Sequence, residues 1–376
     1  MTDSGFEAGA RAAGALAFHA DFEAARVTLN GAVGCFGLSS DVWTLTAFYD
    51  RLGPLDRKVI DAALRGGEID RRIRIIGDDG RLYYARLLGQ RGNGQFHGLL
   101  IPAGRSLQTS GRIEDEHALA AAVEAGEVCA FYQPVVALDT GRLAGFEALA
   151  RWQRPGVGIL APADFLGMAE DIELLEQVST RVRQTAIADL ASWRKAYPSA
   201  QSLFVAANAS VSELVCEEFQ AELLDQVAAA DLPASAFKLE VAETEIMRDP
   251  DAAENAMQRL SKGGVALALD DFGTGYSSLA RLEMLPFDVV KIDQYFVRAM
   301  HGNESAETVV RSVIQLARHF GMKVVAEGVE TVGAAEQLAT MGCDFAQGYR
   351  YAGALPPEDA LAVVEGGLDG RILAPA

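Results

Sequence analysis

Residues 130–151 read AFYQPVVALDTGRLAGFEALAR, two apolar runs parted by Asp139-Thr140-Gly141-Arg142. The runs, Ala130–Leu138 and Leu143–Arg151, have strand length and strand composition. Four residues can turn a chain back on itself. They cannot carry the crossover that two parallel neighbours need, so these strands run antiparallel. Beyond them the rhythm changes. Strand-like runs recur at Ser202–Ala207, Phe237–Val241, Val265–Asp270, Val289–Ile292, Lys323–Ala326 and Asp344–Gln347, with helical stretches between most of them. Eight strands alternating with helices predict an α/β chain folded as a TIM-type (β/α)8 barrel, modified by one antiparallel strand.

Upstream the pattern is different again. Asp78-Asp79-Gly80 and Gly92-Asn93-Gly94 are hairpin turn signals separating the strand candidates Arg71–Ile76, Leu82–Leu88 and Gln95–Ile101. Leu55–Leu64 has helical spacing, Pro102–Gly111 is polar and glycine-containing, and Ile113–Ala125 reads as a helix. The expected division is a small α+β domain over residues 1–104, a linker and connecting helix over 105–126, and the barrel over 127–370.

Fifty-two acidic against 33 basic residues give a net charge of -19. Such a chain repels a nucleic-acid backbone, and if it handles a phosphate compound, bound cations must supply the positive charge. Met1–Glu7 is acidic, with no basic segment leading into an apolar one, and no run approaches a membrane span. The four cysteines are scattered, without a Cys-x-x-Cys pair. These features predict a cytoplasmic protein with reduced thiols and no membrane or nucleic-acid partner.

Polar residues that a strand core would not choose sit at the ends of the barrel runs: Glu147, Asn208, Glu240, Asp270 with Asp271, Lys291, Glu327 and Gln347. Their spacings of 61, 32, 30, 21, 36 and 20 residues mostly match one strand-helix unit, which puts them at similar heights around one barrel mouth. Any one acid alone reads most simply as a solvated loop residue or a helix cap. Five carboxylates on one rim repel one another unless cations sit between them. Carboxylates with an Asn amide are hard oxygen donors that suit Mg²⁺ or Mn²⁺ rather than zinc. Two such ions can activate water and stabilise the leaving oxygen of a phosphodiester, which reaches a metal-dependent phosphate-ester hydrolase and leaves the substrate open.

Glu147-Ala148-Leu149 lies between Tyr132-Gln133-Pro134-Val135 and Ala150-Arg151-Trp152-Gln153-Arg154-Pro155. Downstream come Asn208-Ala209-Ser210, Leu239-Glu240-Val241-Ala242-Glu243, Asp270-Asp271-Phe272-Gly273-Thr274-Gly275-Tyr276-Ser277-Ser278-Leu279, Lys291-Ile292-Asp293, Ala326-Glu327-Gly328-Val329-Glu330 and Gln347-Gly348-Tyr349. In these ordered blocks residues 115–370 resemble the EAL family of cyclic di-GMP phosphodiesterases. The chain departs from the usual family pattern at Arg154, Ala242 and Gly353-Ala354, none of them a ligand position.

The resemblance implies hydrolysis of cyclic di-GMP to the linear dinucleotide pGpG with two Mg²⁺ or Mn²⁺ ions per site. By the same resemblance, Glu147, Asn208, Glu240 and Asp270 hold one ion, and Asp270, Asp271 and Glu327 serve the second. Glu327 and Lys291 position or activate the water, with the general base left open between them. Gln133, Leu149, Arg151 and Gln347 are implied substrate contacts, and Asp293 and Glu330 match positions in or near the site. Glu243 matches the anchor of the Asp271–Leu279 loop, whose glycines suit a movable gate. A catalytically silent receptor for the same dinucleotide is the alternative, although such receptors usually lack a ligand that is present here. The N-terminal region is more distantly similar to a PAS sensory domain, through the helix near Pro54-Leu55-Asp56-Arg57 and the Asp-Gly hairpin; a ligand-free dimerisation module is the other reading. A regulatory role for this region and a homodimer are expected.

Overall fold

The computed structural model describes residues 15–57, 60, 67–92, 95–103, 107–108, 111–246, 250–272 and 285–366. The chain divides into two compact units, residues 1–125 together with 163–175, and residues 126–162 together with 176–376.

The first unit is built on an antiparallel sheet. Its strands are β1 (Leu16–Asp21), β2 (Arg26–Asn30), β3 (Val42–Thr44), β4 (Glu68–Ile76), β5 (Arg81–Gly92), β6 (Gln95–Pro102) and the short β7 (Leu107–Gln108). The order is β3-β2-β1-β6-β5-β4, with β7 pairing β5. The three strands expected from the sequence are β4, β5 and β6, each somewhat longer than its apolar run. Asp78-Asp79-Gly80 turns the chain between the first two, with Gly80 at φ +72°. Gly92 pairs Gln95, and the expected turn residues Asn93-Gly94 between them lie outside the described residues. Alternate residues point inward. Leu16, Phe18 and Ala20 of β1 meet Phe96 and Leu100 of β6 and Phe48 of α1 (Leu45–Asp50). The expected helix Leu55–Leu64 falls partly outside the described residues.

Two further helices belong to this unit, α2 (Arg112–Ala125) and most of α3 (Pro162–Asp171), although α3 follows the first barrel strands in the chain. Charge ties them to the sheet. Arg74 of β4, 2% exposed, grips Asp56 through Nε (2.8 Å) and Nη2 (3.0 Å), and its Nη1 meets Glu116 of α2 at 2.5 Å. Arg112 bonds the other Glu116 oxygen (3.1 Å) and Asp171 of α3 (2.7 Å).

The second unit is the barrel. Its strands are β8 (Val128–Ala137), β9 (Leu143–Arg154), β11 (Phe204–Asn208), β12 (Phe237–Ala242), β13 (Ala266–Phe272), β14 (Val289–Ile292), β15 (Lys323–Ala326) and β16 (Phe345–Ala346), with β10 (Gly158–Leu160) hanging from β9. The order β9-β11-β12-β13-β14-β15-β16-β8 closes back on β9. Only β8 runs against its barrel neighbours. The eight strands, the closure and the single antiparallel member are those expected from the sequence.

Helices α4 (Leu175–Ala196), α5 (Val211–Val215), α6 (Glu217–Ala229), α7 (Glu243–Ile246), α8 (Pro250–Lys262), α9 (Gln294–Ala299), α10 (Glu304–His319), α11 (Val332–Met341) and α12 (Pro357–Gly366) follow the strands. Apolar residues of helices and outward strand faces form one large core. A smaller inner layer of Val135, Ala268, Val289 and Val325, capped by Phe204 and Phe345, plugs the barrel lumen and leaves its mouth for polar groups. No helix among the described residues is long and apolar enough to cross a membrane.

Candidate active site

Strand register sets the heights of the site residues. Gln133 lies opposite Glu147, Asn208 opposite Glu240, and Ala242 opposite Asp270. Because side chains alternate, Glu147, Leu149 and Arg151 share one face of β9. Two adjacent acids on β13 cannot normally share a face. Here the register slips between Leu269 and Phe272, and Asp271 takes the left-handed conformation at φ +56°. The irregularity re-aims consecutive side chains, as bulges beside active sites do. As a result Asp270, Asp271 and Glu327 each offer a carboxylate oxygen within 4.8 Å of the others.

Lys291 stands at the centre, 2% exposed. Its Nζ lies 2.8 Å from Glu240 Oε2, 2.8 Å from Glu327 Oε1, 3.1 Å from Asp270 Oδ1 and 3.4 Å from Glu147 Oε2. The amide of Asn208 donates to Glu147 Oε1 (3.3 Å), and Gln347 Nε2 donates to Glu147 Oε2 (2.6 Å). Gln347 Oε1 is buried and receives no hydrogen bond, which leaves an unused acceptor on the side chain that holds Glu147. Gly348 lets this corner close, since a Cβ there would sit 2.4 Å from the backbone of Val329.

One ammonium among four carboxylates leaves an excess of negative charge, and the titration behaviour follows. Burial pushes Glu240 well above the carboxylate range, helped by Glu147 and Asp270 and opposed by Lys291. Burial, with Asp270 and Glu147, lifts Glu327 to about 7. Asp271 is raised by burial and by Asp270 and Asp293. Burial also opposes the charge on Glu147, but Lys291 and the Gln347 hydrogen bond outweigh it and hold that carboxyl low. Burial opposes the charge on Lys291; the surrounding acids reverse this and hold it well above the usual lysine range.

A carboxyl raised on folding stabilises the protein below its unfolded pKa and ceases to do so as pH rises through its folded one. For Glu327 that window runs from the ordinary glutamate range to about 7. Thermal unfolding in chelator is therefore expected to show a melting temperature that falls from pH 5 to pH 8, with Glu327 accounting for about 3 kcal/mol of lost stability and Glu240 and Asp271 adding to it in the same direction. Mg²⁺ should flatten the slope by taking the place of the protons. A slope of the same size in saturating Mg²⁺ would show that Glu327 does not meet the metal.

The remaining expected contacts make other interactions in the structure. Gln133 donates to the Ala352 carbonyl (3.2 Å), Leu149 is half-buried, and the half-buried Arg151 donates to the carbonyl of Ala150 (2.8 Å). Asp293 caps α9 by accepting from Tyr295 N (2.8 Å). Glu330 forms a half-exposed ion pair with Arg298 at 2.7 Å. Glu243 is buried at the start of α7, while the loop it is expected to anchor lies outside the described residues from Gly273 onward.

The EAL domain profile matches residues 116–354, more than half of the chain. The chain belongs to the EAL domain family. It is 39% identical over 228 residues to the cyclic di-GMP phosphodiesterase PA2567 of Pseudomonas aeruginosa, covering 60% of this chain and 38% of that protein. It is 42% identical over 232 residues to an uncharacterized protein of Azorhizobium caulinodans, covering 61% and 31%. This EAL chain thus spans about a third of the length of those relatives. Among solved structures it resembles the PaMucR phosphodiesterase in complex with c-di-GMP, with TM-score 0.62, 33% identity and coverage of 65% of this chain and 98% of that one. It also resembles the EAL enzyme Bd1971 bound to cAMP and cyclic di-GMP, with TM-score 0.63, 29% identity and coverage of 68% and 69%.

Sequence reading missed the support beneath Asn208. Arg183 of α4 donates through Nη1 to the Asn208 carbonyl (3.2 Å) and through Nη2 to Glu213 (2.6 Å). A signal was available, because Ser210-x-x-Glu213 is a capping box that marks the start of a helix just past the site residue.

Proposed function

We propose that this EAL chain hydrolyses cyclic di-GMP to linear pGpG, with two Mg²⁺ or Mn²⁺ ions held by Glu147, Asn208, Glu240, Asp270, Asp271 and Glu327. The observation that carries the reading is the convergence of Glu147, Glu240, Asp270 and Glu327 on Lys291, with Asp271 grouped beside Asp270 and Glu327. Hard oxygen donors fit these ions. When bound, the ions supply Lewis-acid activation of water and charge neutralisation at the phosphoryl oxygens. The protein's residues do the rest. Lys291, kept protonated by its neighbours, donates hydrogen bonds and orients; it has no lone pair with which to act as a base. Glu327, held at 2.8 Å by Lys291, is the acceptor for the proton of the attacking water. Gln347 Oε1 and the Arg151 guanidinium, together with Gln133, Leu149, Asp293 and Glu330, face or border the dinucleotide. We assign regulation and homodimerisation to the N-terminal unit.

Purified protein should convert cyclic di-GMP to pGpG, identified by mass, only with Mg²⁺ or Mn²⁺ present. Calcium should support the reaction poorly, because a larger ion of looser geometry holds an in-line arrangement less well. Full activity after exhaustive chelation would overturn the two-metal reading, and binding without turnover in Mg²⁺ would favour a receptor.

A further inference from the structure

We infer that Arg183 is a positioning residue for Asn208, acting through a buried ion pair with Glu213 that clamps the turn between β11 and α5. The inference rests on reading Asn208 as a metal ligand. Arg183 is 2% exposed and Glu213 6%. The guanidinium Nη1 donates to the Asn208 carbonyl at 3.2 Å, and Nη2 donates to Glu213 Oε1 at 2.6 Å and to Thr180 Oγ1 at 3.1 Å. Its Cζ lies over the Phe219 ring, 4.7 Å from the centroid. The second Glu213 oxygen accepts from Ser210 N (3.0 Å) and Ser210 Oγ (3.1 Å).

Among the described residues, the side-chain hydrogen bonds of the pair outside α4 fall on residues 208–213, the segment that leaves the barrel mouth. A fork of nitrogens is needed for this. Arginine reaches a carbonyl and a carboxylate at once from fixed directions, whereas lysine presents one compact charge and can satisfy only one of them well. On the other side of the same residue, the Asn208 amide points at Glu147 Oε1. The carbonyl is fixed by Arg183, so the side chain is delivered to the acid cluster in one orientation.

The test is Mn²⁺ binding to the full chain, read from the electron paramagnetic resonance signal of free Mn²⁺, with thermal unfolding in chelator alongside. The proteins are wild type, Asn208→Ala, Arg183→Lys and the double variant. Arg183→Lys should weaken Mn²⁺ binding about 10-fold, the usual scale for a residue that orients a ligand. In the Asn208→Ala background it should add nothing, because the two act in series. A folded Arg183→Lys with wild-type Mn²⁺ affinity overturns the inference, even if its melting temperature falls. So does an effect that persists undiminished without Asn208. If Asn208→Ala alone binds Mn²⁺ as wild type does, the ligand assignment fails and takes the inference with it. Should Arg183→Lys not fold, Glu213→Gln, which removes the carboxylate charge while keeping its shape, replaces it in the same cycle.

Discussion

Replacing Asp270 by Asn should abolish hydrolysis and leave the chelated protein at least as stable as wild type. The loss of activity should be at least about 100-fold, since removing a direct ligand costs no less than removing a residue that merely supports one. The stability expectation comes from counting charges. Lys291 lies within 3.4 Å of four carboxylates, of which Asp270 is one, at 3.1 Å. Neutralising it leaves three acids around the ammonium, so no buried charge is stranded, and it removes a source of repulsion for Glu240, Asp271 and Glu327. The gain should be on the order of 1 kcal/mol, the scale of one pKa unit. A structural acid predicts the opposite sign, because breaking a needed buried pair costs several kcal/mol. Thermal unfolding in chelator separates the two, and a large drop in melting temperature for Asp270→Asn would remove it from the metal site.

The site was readable because barrels gather functional groups at strand ends. Val289–Ile292 and Lys323–Ala326 were bounded to the residue from sequence, since strands covered on both faces read as predominantly apolar runs. Polar residues at or just beyond such runs, as Lys291 and Glu327 are, then stand out against them. What could not be read is how Asp270 and Asp271 face one site together. That depends on a slipped register and one left-handed dihedral, and the sequence offers only two adjacent acids.

The first unit was less legible for related reasons. β3 has three residues and β7 two, too few to establish a period of two. β10 is equally short, and its Ile159 is exposed, so it has no buried face to announce it. The membership of α3 was also hidden. Sequence order places it among the barrel elements, whereas Glu170 and Asp171 of α3, with Glu173 just after it, pair with Arg72, Arg112 and Arg71 of the first unit. Charged partners far apart in sequence leave no periodic signal, and Arg71-Arg72-Ile73-Arg74 does not say which arginine turns inward.

That inward arginine carries the second large effect. Arg74→Met should destabilise the first unit by about 3–5 kcal/mol at neutral pH, measured by unfolding followed with a probe in the N-terminal sheet. The substitution keeps the bulk of the stem but strands Asp56 and Glu116, whose carboxyls burial already raises above their ordinary range despite the guanidinium. Without it they rise further, and each must either stay protonated or carry an uncompensated charge. A raised carboxyl stabilises below its unfolded pKa and loses that contribution as pH climbs, so the deficit should shrink near pH 4 and widen toward pH 8. Arg112 still reaches Glu116 at 3.1 Å, which makes Asp56 the more exposed to the loss. The triple variant Arg74→Met, Asp56→Leu, Glu116→Leu should recover most of the stability, because an apolar set of similar volume has no desolvation to offset. A triple variant as unstable as Arg74→Met would show that the side-chain shapes, rather than stranded charges, set the cost.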